Sequence, residues 1–136
     1  MKVMLDTNTC IAIIRQKSPQ VLRRFRAYSP GDVGISWVTL AELEFGISKS
    51  RHSAKNQAAL DEFMLPLELA NFDRDTARVY GQVRAALENA GTPIGSLDTM
   101  IGAHALRLGV TLATNHTREF SRIKGLKIVD WLAGKP

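Results

Sequence analysis

The chain has 136 residues, 45% of them hydrophobic and 23% charged, which is enough for one core and no second domain. No run of roughly eighteen apolar residues occurs, which argues against a membrane-spanning helix, and the mean hydropathy of −0.08 fits a soluble protein. Eighteen Lys and Arg against thirteen Asp and Glu give a net charge of +5, which favours a polyanionic partner, while the single cysteine, Cys10, excludes an internal disulfide and fits a buried thiol in a reducing cytoplasm.

Met1 to Leu5 is an apolar run that stops at Asp6, too early for a secretory signal, so the N-terminus is expected to belong to the fold. A buried strand there would deliver Asp6 to the edge of a sheet, with Thr7-Asn8 starting a helix. Thr7 to Gln16 places Ile11, Ile13 and Ile14 on that helix, and Ser18-Pro19 interrupts it. A second short helix interleaves Val21, Leu22 and Phe25 with Arg23, Arg24 and Arg26, and Ser29-Pro30-Gly31-Asp32 closes it. Val33 to Trp37 reads as a second strand, and Thr39 as the N-cap of a helix running to Ile47. Glu42 and Glu44 lie two residues apart, about 200° around a helix, so they cannot share a site and one must be solvated.

His52 to Leu65 is another amphipathic helix, with Leu60, Phe63 and Met64 inward and Pro66 ending it; Leu67 to Phe72 is a brief strand or an extended link. Asp73 to Ala90 is the longest helical pattern, with Gly91 as its C′ residue. The turn Thr92 to Ser96 leads into a helix from Leu97 to Leu108, ended by Gly109. Val110 to Thr114 forms a third strand, followed by Asn115-His116, a short helical piece from Thr117 to Ile123 and a last strand from Leu126 to Val129. Strands alternating with helices predict an α/β sandwich around a mainly parallel sheet.

In such a sheet, ligands collect at the carboxyl ends of the strands. Asp6 sits at one such end, and Thr114 to Glu119 follows another. Asp98 and Glu42 each fall in the first turn of a predicted helix, from which they can project inward. Two carboxylates about 5 Å apart repel by roughly 3 kcal/mol at an effective dielectric near 20, so a convergence of these acids calls for a cation. Oxygen ligands without a second Cys or a His-rich spacing point to Mg²⁺, with Mn²⁺ as a substitute, rather than Zn²⁺. Spacing alone leaves other roles open: Asp98 as a simple N-cap, Glu42 as an exposed helix acid and Glu44 as a surface residue.

Five motifs in order carry a resemblance across nearly the whole chain. They are Met4-Leu5-Asp6-Thr7-Asn8; Ile35-Ser36 with Thr39-Leu40-Ala41-Glu42-Leu43-Glu44-Phe45-Gly46; Pro93-Ile94-Gly95 with Asp98; Ala103-His104-Ala105; and Thr114-Asn115-His116-Thr117-Arg118-Glu119-Phe120. The closing Ile128-Val129-Asp130-Trp131 adds to them. Together they resemble the VapC family of PIN-domain toxins. The resemblance implies a PIN-like α/β/α sandwich as one unit over 1–136, and a Mg²⁺-dependent endoribonuclease of a toxin–antitoxin pair. Its relatives cut tRNA or ribosomal RNA, some of them the anticodon loop of initiator tRNA.

Carried over by position, Asp6 and Asp98 match the principal metal-binding aspartates, and Glu42 matches the helical glutamate of the same site. Many PIN domains have an aspartate where this chain has His116; a subgroup carries its acid before the Phe, which assigns Glu119 the fourth position. Asn8, Thr114 and Asn115 are supporting polar residues, with capping of the short helix as an alternative for Thr114 and Asn115. His104 is expected to be a packed core histidine. Arg15, Lys17, Arg23, Arg24 and Arg26 are candidate RNA contacts, with a solvated face as the alternative for the arginines of the second helix.

The resemblance also implies a VapB-like antitoxin that inserts a basic side chain into the acidic site. The apolar faces of the first two helices and the Thr39 helix are candidates for its groove, with a plain core as the more economical reading. A homodimer and a larger toxin–antitoxin complex follow from the resemblance alone. The competing reading is a catalytically silent module that binds RNA or antitoxin. A phosphatase with an aspartyl nucleophile normally wants a second Asp two residues on, where Asn8 stands.

Overall fold

The computed structural model describes residues 1–133; the last three residues of the expected 1–136 unit lie outside the described residues. The apolar start folds as β1 (Val3–Leu5), every residue of which is buried, as expected of a central strand covered on both faces. It leads through Asp6 into α1 (Thr7–Ile14), then α2 (Pro19–Arg26), which starts with Ser18 as N-cap and Pro19 in its first turn. β2 (Val33–Ser36) follows and runs directly into α3 (Trp37–Lys49). The predicted Thr39 cap is displaced by three residues. Ser36 caps α3, its Oγ accepting from the Val38 N–H at 3.1 Å, while Thr39 is buried inside the helix. Trp37 is thus helical, and Glu42 lies in the second turn rather than the first.

After α4 (Ser53–Met64), the ambiguous segment resolves as a short strand, β3 (Glu68–Ala70). The long helix α5 (Arg74–Asn89) is capped by Asp73, and Gly91 follows its C-cap in the left-handed region at φ +73°. α6 (Ser96–Leu108) ends at Gly109, also left-handed, and β4 (Thr111–Ala113) comes next. The last elements are shorter than the sequence pattern suggests: α7 (Thr117–Phe120) and β5 (Ile128–Val129).

The five strands described pair in the order β3-β2-β1-β4-β5, and every pairing is parallel. Side chains alternate across the sheet and divide the core in two. Val3 and Leu5 of β1 and Ala113 of β4 pack with α1 to α4 on one face; Met4 and Leu112 pack with α5, α6 and α7 on the other. The result is the α/β/α sandwich. Because β1 is flanked by β2 on one side and β4 on the other, the chain reverses its direction of winding between β1 and β4. A crevice opens at the carboxyl ends of strands at such a switch point. The fold therefore places a ligand site after Leu5 and Ala113 before any side-chain chemistry is considered.

Gly34 marks the tightest backbone approach in this sheet. A Cβ there would be driven into the Glu68 carbonyl oxygen and the Met1 side chain. Gly34→Ala should destabilise the protein by roughly 1–3 kcal/mol, measured as a lowered midpoint in urea unfolding, since backbone rather than a side-chain tip must give way.

Candidate active site

Asp6 is the N-cap of α1 and only 3% exposed. Its backbone N–H donates to the Ala113 carbonyl at 3.1 Å, and its Oδ1 accepts from the Thr9 N–H at 2.9 Å. The Thr9 hydroxyl donates to the same Ala113 carbonyl at 3.1 Å, so the start of α1 is tied to the end of β4. One carboxylate oxygen is thus committed to the helix, which leaves Oδ2 for a ligand.

Glu42 reaches toward Asp6 from α3. The Thr7 hydroxyl donates to its Oε1 at 2.6 Å, across 35 residues of sequence. Asp98 comes from the other helical layer, in the first turn of α6. These three acids, with Thr7, Asn8 and His116, line one cavity of about 220 Å³ at the carboxyl edge of the sheet. Asn8 spans its rim, with the amide N–H donating to His116 Nε2 at 2.8 Å.

Glu119 is half-buried on α7 and is not among those six lining side chains, although its charge is felt at Asp98. Burial is the main cause that holds the Asp98 carboxyl above its ordinary value; His116 opposes it, and the negative charges of Glu42, Asp6 and Glu119 add to it. Among the described residues, no Lys or Arg forms an ion pair with any of these four acids.

That donor set suits a hard divalent cation. As placed, no three acidic, histidine or cysteine side chains among the described residues close on one ion. The carboxylates instead stand around an open cavity with room for water. A lining of this kind fits a divalent cation that keeps part of its own hydration shell.

The remaining sequence-derived candidates fall in different places. Thr114 is buried, and its hydroxyl accepts from the His116 N–H at 2.9 Å, so it shapes the turn; Asn115 is exposed. Arg24 is half-buried and its Nη1 donates to the Asp130 carbonyl at 3.0 Å, which anchors the side chain without neutralising its charge. Arg15, Lys17, Arg23 and Arg26 are exposed, as is Glu44, which accepts from Gln57 at 3.3 Å. His104 is fully buried, as expected.

Cys10 is buried beneath Asp6, and burial first, then the Asp6 charge, pushes its thiol up and away from reactivity. Sequence reasoning missed Thr7 as the partner of Glu42 and left His116 without a part in the site. No periodicity links Thr7 to Glu42, and only the strand order brings His116 to Asn8, 108 residues away.

The apolar groove also differs from expectation. Val21, Leu22 and Phe25 of α2 are packed into the core, and the groove opens instead between α1, α3 and α4. Ile11, Ile14, Leu43, Ile47 and Leu60 line it, and Glu42 stands where it meets the acidic cavity.

Comparisons with known proteins agree with this architecture. A profile of the PIN domain matches residues 3–126. The tRNA(fMet)-specific endonuclease VapC of Shigella flexneri is 41% identical over 131 residues, covering 96% of this chain and 98% of that protein. In the DNA-bound structure of VapBC from Salmonella typhimurium, a chain 42% identical superposes with a TM-score of 0.92, covering 96% of this chain and 98% of its own length. VapBC2 from Rickettsia felis, bound to a promoter DNA fragment, gives a TM-score of 0.91 at 36% identity, covering 96% of this chain and 99% of that one. PIN-domain nucleases are in general dependent on a divalent metal. With the strand order, the acidic cavity at the switch point and these relatives in agreement, the chain belongs to the VapC family of PIN-domain ribonucleases.

Proposed function

We propose that this protein is the endoribonuclease toxin of a toxin–antitoxin pair, and that it hydrolyses phosphodiester bonds in structured RNA at the cavity formed by Asp6, Glu42 and Asp98, with Glu119 at its border. The observation that carries the reading is the convergence of three acids from three separate elements on one cavity, with no Lys or Arg ion-paired to them among the described residues. Uncompensated carboxylates in a half-buried site raise the energy of the metal-free protein, and binding a cation relieves them. Mg²⁺, or Mn²⁺ in its place, would activate a water and neutralise charge on the phosphate in the transition state.

The chain's own residues supply the geometry. The Thr9 N–H holds the Asp6 carboxylate, and the Thr7 hydroxyl aims Glu42. Asn8 fixes His116 on the opposite wall, where the imidazole can meet a phosphate oxygen or the leaving hydroxyl. Hydrolysis would break the P–O3′ bond, leaving a 5′-phosphate and a 3′-hydroxyl. The net charge of +5 coexists with an acidic cavity, so the surrounding surface attracts RNA to a site that would otherwise repel it. Arg15, Lys17, Arg23 and Arg26 are the exposed cations assigned to that contact.

The Shigella relative's specificity makes tRNA, and initiator tRNA first, the substrate to test. The VapBC complexes support a VapB-like antitoxin as partner, seated in the groove between α1, α3 and α4 with a basic side chain near Glu42. A homodimer, a larger toxin–antitoxin complex and a cytoplasmic location complete the proposal; among the described residues no helix is long and apolar enough to cross a membrane.

Asp6→Asn is the sharpest test because asparagine keeps the Oδ1 acceptor that caps α1 and removes only the charge. Incubated with total bacterial RNA and Mg²⁺, the unsubstituted protein should produce discrete new 5′ ends. The variant should cut at least about a hundredfold more slowly, and EDTA should silence both. Undiminished cutting by the variant would remove Asp6 from the centre of the mechanism. RNA or antitoxin binding by the unsubstituted protein without metal-dependent products would favour the silent docking module.

The raised Asp98 carboxyl leads to a second expectation. A carboxyl whose folded value exceeds its unfolded value binds more protons when folded, so its contribution to stability improves as pH falls toward the folded value and is worst at neutral pH. In EDTA at neutral pH, Asp98→Asn should unfold at a temperature equal to or above that of the unsubstituted protein. The gap should close as pH falls through the window above the ordinary aspartate value of about 3.9. Mg²⁺ should raise the unfolding temperature of the unsubstituted protein alone. A lower unfolding temperature for Asp98→Asn in EDTA at neutral pH would contradict this.

A further inference from the structure

One buried polar contact has no part in the chemistry above. Ser36 ends β2 and starts α3; His104 lies in the middle of α6. Both are fully buried, and Ser36 Oγ and His104 Nδ1 are 2.8 Å apart across 68 residues of sequence. Phe72 meets the imidazole edge-on, with ring centroids 5.3 Å apart, and the Asn71 backbone lies against the ring as a further polar neighbour. A side chain needed only to fill space would be better apolar, since burial strips the polar imidazole of its hydration. Nor does the cap of α3 need the histidine, because Ser36 Oγ already accepts from the Val38 N–H.

The contact does join two helices that carry acids of the site. Glu42 is six residues beyond Ser36 on α3, and Asp98 is six residues before His104 on α6, each about 9 Å along a stiff helix. The geometry points to His104 as a positioning residue: its hydrogen bond to Ser36 sets α3 against α6 and so fixes the separation of the Glu42 and Asp98 carboxylates around the cation. The inference rests on the metal-site reading proposed above. Bonds made directly to ligating side chains change metal affinity by roughly 10–100-fold when removed, and this bond, one step further from the ligands, belongs at the lower end of that range.

The test uses three forms of the full chain: unsubstituted, His104→Phe and His104→Asn. Phenylalanine keeps a planar ring but loses the bond, whereas asparagine places a polar atom near the position of Nδ1. Mn²⁺ binding, followed by titration calorimetry and by the loss of free Mn²⁺ paramagnetic signal, is read without RNA. His104→Phe should unfold at or above the temperature of the unsubstituted protein, yet bind Mn²⁺ about tenfold or more weakly. On RNA its kcat should fall with KM little changed. His104→Asn should recover most of the affinity.

If His104→Phe does not fold, Ser36→Ala breaks the same bond together with the α3 cap, and Mn²⁺ affinity should fall by at least as much. Ser36→Gly, which is better tolerated at a cap, should lose affinity equally. Unchanged Mn²⁺ affinity in a folded His104→Phe or Ser36→Ala protein would overturn the positioning role alone, as would an Asn variant as weak as the Phe variant. Absence of Mn²⁺ binding by the unsubstituted protein would overturn the metal-site reading and this role together.

Discussion

Like charge held close together at the switch point of a parallel sheet is the constraint on which the rest of this structure depends. Asp6 has little exposure, and Asp98 is resisted by burial and by three neighbouring acids. Carboxylates in such a place are unfavourable unless something neutralises them, and the chain supplies no Lys or Arg to do so among its described residues. A fold selected only for stability would pair or remove them. Their convergence is what supports the proposed cation site, in which the cost of crowding falls on the metal-free state.

The chain holds these acids with neutral donors. A backbone N–H holds Asp6, a hydroxyl holds Glu42, and the Asn8 amide steadies His116. Each of these bonds restricts a side chain without discharging its neighbours, so orientation is fixed while the negative potential survives. Ion pairs are placed elsewhere: Lys2 with Asp32, Arg84 with Glu88 and Arg107 with Asp75. Exposed pairs of that kind contribute little to stability. Charge neutralisation at the surface and charge concentration in the cavity are thus kept apart, which lets a basic protein carry an acidic centre.

Much of the architecture was legible in the sequence because it rests on short-range rules. The all-apolar β1, Pro19 at the start of α2 and the left-handed Gly91 and Gly109 after their helices each follow from periodicity or backbone preference. Where those rules compete, local preference does not decide. Thr39 and Ser36 are both good caps, and the choice fell to Ser36 because β2 ends there and burial takes Thr39 into the helix interior. The alternation over Leu67 to Phe72 was too short to identify β3, whose strand character comes from pairing with β2. That Arg24 is anchored by the Asp130 carbonyl follows from tertiary packing alone, since the two lie 106 residues apart.

The sequence by itself determined the order of strands and helices, the family resemblance and the acids worth considering, since local spacing and residue type are enough to set these. Tertiary structure alone decided which side chains meet. Thr7 with Glu42, Asn8 with His116 and Ser36 with His104 are each joined across 35 to 108 residues, and no local rule reaches that far. Tertiary structure also put α4 in place of α2 beside α1 and α3 in the apolar groove. The reason is the strand order: by placing β4 beside β1, it brings loops distant in sequence to one edge, where Asp6, Asp98 and His116 become neighbours.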